Sequence, residues 1–155
     1  MVFTAKKEGK FYKVPDFDLL LVKEKSRELE VKKIENPEDA IIIAKEVLKN
    51  SPCEKLMVIL LNQKNTVIGT SIVSIGNLTS SIVGIREIFQ RALLSNSAKI
   101  IMAHNHPAND PNPSKEDILA TKKVAEAGEI MGVPLLDSLI ITEDQGVSLK
   151  KLNYF

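Results

Sequence analysis

Two stretches of strand length in this chain are almost wholly apolar: Leu56 to Leu61, inside the segment Glu54–Leu61, and Ile100 to Ala103, inside Lys99–Ala103. Strands without polar alternation must be covered on both faces, which calls for a sheet held between other layers. Amphipathic helices can supply those layers. Asn36-Pro37-Glu38 offers an N-cap, a proline at the first helical position and an acidic first turn, and Ala40, Ile41, Ala44, Val47 and Leu48 then recur at helical spacing. That helix is expected to end near Asn50-Ser51-Pro52. Ile85–Asn96 predicts a second helix with one apolar stripe, Ile85, Ile88, Phe89, Ala92 and Leu93. Ser114 caps a third, with Asp117 at the third position after the cap, running through Ala120, Val124 and Ala127 to about Met131.

The remaining strands follow from turn chemistry. Asn62-Gln63-Lys64-Asn65 separates Glu54–Leu61 from Thr66–Ile75, predicting a central hairpin in which Gly69 marks a bulge or a close backbone approach. Leu135–Thr142 predicts another strand, turning at Glu143-Asp144-Gln145-Gly146 into Val147–Leu149. At the N-terminal side, Phe17–Lys25 and Leu29–Ile34 alternate in part and read as a strand pair or an extended arm. Strands and helices interleaved around a hairpin define an α/β or α+β sandwich with a central mixed sheet.

No repeat, low-complexity tract or Gly/Ser linker divides the 155 residues, so the chain is expected to form one domain. It has no apolar run of membrane-spanning or signal-peptide length. Its 21 Lys+Arg balance 20 Asp+Glu, and residues 1–34 are only mildly basic, with nine Lys/Arg against six Asp/Glu. That balance lacks the basic field of a nucleic-acid binder. The single cysteine, Cys53, excludes an internal disulfide and Cys-rich zinc sites, and fits a reducing, cytoplasmic setting.

Metal binding is therefore left to histidine and carboxylate, and there are only two histidines, His104 and His106. They stand two residues apart where a buried strand ends, so extended backbone turns both imidazoles to one face. Pro107 to Pro113 holds three prolines and must be an irregular loop, which can return Asp117 on the next helix to the same point. Two His and one carboxylate leave a fourth tetrahedral position for water, the arrangement of catalytic zinc. Zinc-activated water then needs a proton carrier, for which Glu54, a carboxylate opening an apolar strand, is the candidate. Ser114 could offer its hydroxyl to a developing oxyanion. Each feature alone has a plainer reading: His-x-His pairs arise by chance, Ser114 with Asp117 is a helix cap, and Glu54 is a strand-end charge. Cys53 paired with His104 or His106 as base is a rival nucleophile, although nothing around it forms a nucleophile elbow.

His104-Asn105-His106-Pro107, six residues, Ser114, two residues and Asp117 match the pattern His-x-His-Pro-x6-Ser-x2-Asp, and the chain thereby resembles the JAMM (JAB/MPN-type) zinc metalloproteases. The stretch REIFQRALLSNSAKIIMAHNHPANDPNPSKEDILATKKV followed by GVPLLDSLII is similar, more narrowly, to the bacterial RadC family, over roughly Glu54 to Thr142. The resemblance implies a three-layer, cytidine-deaminase-like arrangement, a central mixed sheet flanked by helices. It also implies that His104, His106 and Asp117 ligate Zn2+, that Glu54 is the acid/base and that Ser114 assists the oxyanion. Glu87 is the alternative to Glu54. RadC-like chains carry Ser-Gly after His-Asn-His-Pro, where Ala108-Asn109 stand here; Asn suits a position that needs a left-handed residue. Ser138 and Asn62 replace a usual His and Asp, neither of them a ligand position.

Residues 1–50 are expected to supply N-terminal strands and a helix, and 51–149 the core with the metal site. No helix-hairpin-helix region, often joined to RadC-like domains, is expected in 1–50. The reading is a zinc-dependent hydrolase cleaving a peptide or isopeptide bond in a protein or peptide substrate, free of membrane, and compatible with a homo-oligomer. One rival is a DNA-repair or recombination accessory of RadC type acting without proteolysis, which the balanced charge disfavours. The other is a metal-free scaffold, which the complete ligand set disfavours.

Overall fold

The structure, a computed structural model, describes residues 14–16, 18, 21–49, 51–75 and 84–155. Its elements run α1 (Pro37–Leu48), β1 (Lys55–Leu61), β2 (Val67–Ile75), α2 (Ile85–Leu94), β3 (Lys99–Asn105), α3 (Lys115–Met131), β4 (Leu135–Ile141) and β5 (Gly146–Ser148). The strands form one mixed sheet in the order β2-β1-β3-β4-β5, with β3 and β4 parallel and every other neighbouring pair antiparallel.

Side-chain alternation splits the apolar strands between two cores. Met57, Ile59, Leu61, Ile101 and Ala103 face α1, where they meet Ala40, Ile43, Ala44 and Leu48. Leu56, Val58, Leu60, Ile100 and Met102 face the other way, onto Ile88, Phe89 and Ala92 of α2 and Val124 of α3. The sheet is thus covered on both sides, as its uninterrupted apolar strands require. β4 changes phase within itself: Ile100 pairs with Leu135 but Ile101 with Asp137, so Leu136 is an extra residue. Leu135 consequently joins the α2/α3 core, while Leu139 and Ile141 join the α1 core.

The helix starts follow their caps. Asn36 Oδ1 accepts from Asp39 N at 3.0 Å and Asp39 Oδ2 accepts from Asn36 N at 3.1 Å, a reciprocal capping box. At the hairpin, Asn62 Oδ1 accepts from Lys64 N and Thr66 N, and Asn65 takes the left-handed conformation with φ 59°. Leu60 pairs with Gly69 but Leu61 with Val67, which leaves Ile68 as a bulge. A Cβ on Gly69 would sit 3.6 Å from Leu60 Cδ1, an ordinary contact, so the glycine marks the bulge and not a close approach.

Of the two readings of the N-terminal segment, no strand pair is present among the described residues, which leaves the extended arm. Phe17, Leu19 and Leu20 lie outside the described residues, and residues 21–32 carry no regular strand. Leu21 and Val22 are exposed, because Lys and Glu follow them directly and leave too few apolar positions on either face to bury. Pairing begins only at a single bridge between Lys33 and Thr66, just before the buried Ile34. No helix among the described residues is long and apolar enough to cross a membrane.

Asp137 of β4 is a buried carboxylate that ties β5 and the chain after it to the sheet. It accepts from Ser148 Oγ at 2.6 Å, Ser138 N at 2.7 Å and Lys150 N at 3.3 Å. Burial outweighs these bonds and raises its pKa above the ordinary Asp value. The folded state therefore holds this proton more tightly than the unfolded chain does. The group's contribution to stability is most favourable in acid and declines as pH rises from the ordinary Asp value through the folded one. Asp137→Asn cannot titrate and keeps both an acceptor and a donor. Its melting temperature relative to the parent is expected to rise from pH 4 to pH 7, at up to about 1.4 kcal/mol per pH unit inside the window. Parallel thermal melts that keep a constant difference across that range would contradict this.

Candidate metal centre

The site is built where β3 ends and the chain crosses to α3. The parallel partner β4 extends β3 beyond its last apolar residue: His104 pairs with Ile140 and Asn105 with Ile141. His104 therefore lies within the strand rather than just after it. It is buried, and alternation sends it to the α3 side, on the same face as Met102 and Leu56. His106 follows on that face, with its backbone N–H bonded to Ile141 O at 2.8 Å. Asn109, at φ 61°, turns the loop in the left-handed region, the conformation for which Asn can replace Gly. Its side chain also fixes the loop to the β4–β5 turn, donating to Asp144 Oδ2 and accepting from Glu143 N.

The cap of α3 aims the carboxylate. Asp117 N donates to Ser114 Oγ at 3.0 Å, and Ser114 N donates to Asp117 Oδ2 at 2.8 Å. Held this way, Asp117 presents Oδ1 at 3.2 Å from His104 Nε2 and Oδ2 at 3.4 Å from His106 Nε2, while the two Nε2 atoms are 2.9 Å apart. The capping box read from the sequence is thus the same structure that delivers the third ligand candidate.

Such a convergence of lone pairs needs protons or a cation to hold it together. His106 Nδ1 meets Asp110 O at 2.7 Å, so Nδ1 donates and leaves Nε2 facing the cluster. The hydrogen bond to Asp117 raises the His106 pKa against the opposing effect of burial, with further help from the Asp110 carbonyl and the charges of Asp117 and Glu54. Burial works against ionisation of Asp117, but the bonds to His104 and His106, the charge of His104 and the Ser114 bond overcome it. The carboxyl stays well below the ordinary Asp range. His104, His106 and Asp117 offer three ligand atoms within 4.8 Å of one another. Donors about 2.0–2.1 Å from a tetrahedral ion lie roughly 3.3 Å apart, and each imidazole has one Asp117 oxygen near that separation, Oδ1 for His104 and Oδ2 for His106, with the two Nε2 atoms somewhat closer. The cluster fits a metal ion.

Glu54 is placed by register. Antiparallel pairing joins Leu56 to His104, the last pair of the ladder, and carrying that register two residues further would bring Glu54 opposite His106. Consistently, the charge of Glu54 acts on His106. Glu87 instead folds against Gly84 at the start of its own helix, α2. Cys53 Sγ meets Ser51 Oγ at 3.9 Å rather than an imidazole, which leaves it without a base for nucleophilic work. Sequence reasoning gave no role to Asn105, whose buried amide accepts from Lys55 N at 2.8 Å and donates to Cys53 O at 3.1 Å. A cleft of about 950 Å³ opens beside His106 and Pro107, with Ile42 and Leu48 of α1 and Leu29 among its apolar lining.

Comparison with known proteins agrees with this geometry. Residues 34–154 match the family described as the RadC-like JAB domain. Among curated proteins, the chain is 42% identical over 122 residues to UPF0758 protein TTE0897 of Caldanaerobacter subterraneus, covering 79% of this chain and 52% of that protein. It is 48% identical over 122 residues to UPF0758 protein CLL_A0562 of Clostridium botulinum, covering 79% and 53%, and 42% identical over 119 residues to a UPF0758 protein of Methanosarcina mazei, covering 77% and 52%. The chain spans about half the length of the curated relatives it matches. With its mixed five-stranded sheet, its three helices and this match over most of its length, the chain belongs to the RadC-like JAB domain family.

Proposed function

We propose that this protein is a zinc-dependent hydrolase that cleaves peptide or isopeptide bonds. The observation that carries this reading is the convergence of His104 Nε2, His106 Nε2 and an Asp117 carboxylate oxygen, with the charge of Glu54 acting on His106. His104, His106 and Asp117 would hold the ion, and two imidazoles with one carboxylate are a donor set suited to catalytic zinc. Bound zinc would supply a water acidic enough to ionise near neutral pH and a Lewis acid for the substrate carbonyl.

The chain's own groups supply the rest. Glu54 takes the proton from the attacking water and passes it to the leaving amine, which a carboxylate beside a cationic centre can do in both directions. Asp117, fixed by the α3 cap, keeps both imidazoles in place. The Ser114 oxygen accepts from Asp117 N and its hydroxyl bonds the Asp117 carboxylate, so serving a developing oxyanion would require the hydroxyl to turn away from that carboxylate. A protein or peptide substrate is the reading that the likeness to JAB domains supports; of the site residues only His106 lines the cleft against α1. The one cysteine, unpaired in the fold, suits action in the cytoplasm.

Exhaustive chelation is expected to abolish hydrolysis of a quenched-fluorescence peptide library, and one equivalent of Zn2+ to restore it. Hydrolysis that survives complete metal removal would sink the reading.

A further inference from the structure

We infer that Asn105 is the positioning residue for Glu54. This rests on the reading of Glu54 as the proton carrier. Alternation along β3 turns Asn105 away from the face that His104 and His106 share, so it is not part of the ligand set. Its amide instead bonds the two peptide groups that flank Glu54, accepting from Lys55 N and donating to Cys53 O.

The position explains the residue type. The β1–β3 ladder ends at the pair Leu56–His104, although β2 pairs with β1 one residue further, to Lys55–Ile75, so on the β3 side Glu54 lies beyond the last rung. The Asn105 side chain supplies the missing rung. An amide presents one acceptor and a donor on a short planar group, as a neighbouring strand's peptide does. Asp has no donor, Ala has neither group, and Gln is one methylene longer. Cys53 O also receives Ser51 Oγ at 2.6 Å, which secures one side of the segment independently. On the other side, β2 pairs with Lys55 through Ile75, and Asn105 is what ties Lys55 to β3. With both flanking peptides held, the Glu54 backbone is fixed relative to the strand that carries the two histidines. Asn105 thus ties the Glu54 backbone to the strand that carries the two histidines, although it touches neither the metal nor the substrate.

The test uses Co2+ as the probe metal in protein carrying 13C at glutamate carboxyl carbons. In the parent protein, the Glu54 resonance, identified by its absence in Glu54→Gln, is expected to be displaced by the paramagnetic ion. In Asn105→Ala the Co2+ stoichiometry is expected to be unchanged, the Glu54 resonance to move toward its metal-free position, and Lys55 amide exchange to accelerate while Val58 and Ile59 stay protected. Against the peptide library, kcat is expected to fall on the order of 10²-fold with KM unchanged. In the Glu54→Gln background the same change is expected to cost nothing further.

An undisturbed Glu54 resonance in Co2+-loaded Asn105→Ala would overturn the inference. So would loss of Co2+, which would show that Asn105 acts through the histidines. Failure of the parent protein to bind Co2+ would instead sink the metal-centre reading itself. Should the alanine variant not fold, Asn105→Leu gives the same readout, since it keeps the side-chain bulk and loses both the acceptor for Lys55 N and the donor to Cys53 O.

Discussion

Asp117→Asn is expected to reduce bound zinc from about one ion per chain to a trace while α3 stays folded. The two duties of Asp117 can be separated because they use different properties of the side chain. The cap needs an oxygen to accept from Ser114 N, which an Asn carbonyl provides, and Asn ranks with Asp in such capping chemistry. The metal needs a negative charge between two imidazoles, which Asn lacks. Removing a mere supporting group around a metal costs 10- to 100-fold in affinity, so loss of a direct ligand is expected to exceed roughly 100-fold. His106→Ala is expected to match it without touching the cap. Elemental analysis after dialysis against a weak chelator reads the stoichiometry. Thermal melts give an independent measure: free zinc at about 1,000 times its Kd adds about 4 kcal/mol to the parent, roughly 10 °C for a domain of this size, and nothing to either variant. Equal zinc in the parent and both variants would place the metal elsewhere or nowhere.

The layers and most element ends could be read from the sequence because local and tertiary signals agree there. Asn36 and Ser114 both form full capping boxes, and the near-continuous apolar strands are indeed buried on both faces. The reading fell short where the deciding contact is distant. β3 was expected to stop at Ala103 because the apolar pattern stops there, yet its pairing with Ile140 and Ile141 carries the strand through the polar pair His104-Asn105. The bulge at Leu136, which assigns β4 residues to their two cores, leaves no mark in local composition. The N-terminal alternation is real but too charged to pay for strand formation, so residues 21–32 remain without one.

The same distinction governs the site. His104, His106, Ser114 and Asp117 fall inside fourteen residues, and their spacing alone brings them together once strand and helix are placed. Glu54 is fifty residues away from His104 in the chain. Its flanking residues say nothing distinctive, and only the β1–β3 pairing, which ends two residues short of it, points it toward His106, whose titration its charge affects. Asn105 was invisible for the opposite reason. It sits in the middle of the motif, where its neighbours account for the pattern, and its partners Cys53 and Lys55 are known only from the fold.

Glu54→Gln is expected to lower kcat against the peptide library by about 10²- to 10⁴-fold while zinc content stays at the parent level. Gln matches Glu in size and retains an acceptor, so the segment clamped by Asn105 keeps its place, because that clamp grips the backbone of Cys53 and Lys55 rather than the Glu54 side chain. What is lost is the capacity to take up a proton and release it to the amine. The loss should therefore appear in kcat with KM little changed, unlike the ligand variants, which lose metal and turnover together. Glu87→Gln is the internal comparison. That carboxylate lies at the start of α2 against Gly84, and its removal is expected to leave kcat within about twofold. Full activity in Glu54→Gln alongside a large loss in Glu87→Gln would reverse the assignment. Full activity in both, with zinc retained, would mean that the proton travels through a group other than these two carboxylates, and Ser114, whose hydroxyl bonds Asp117 at the site, would be the next position to test.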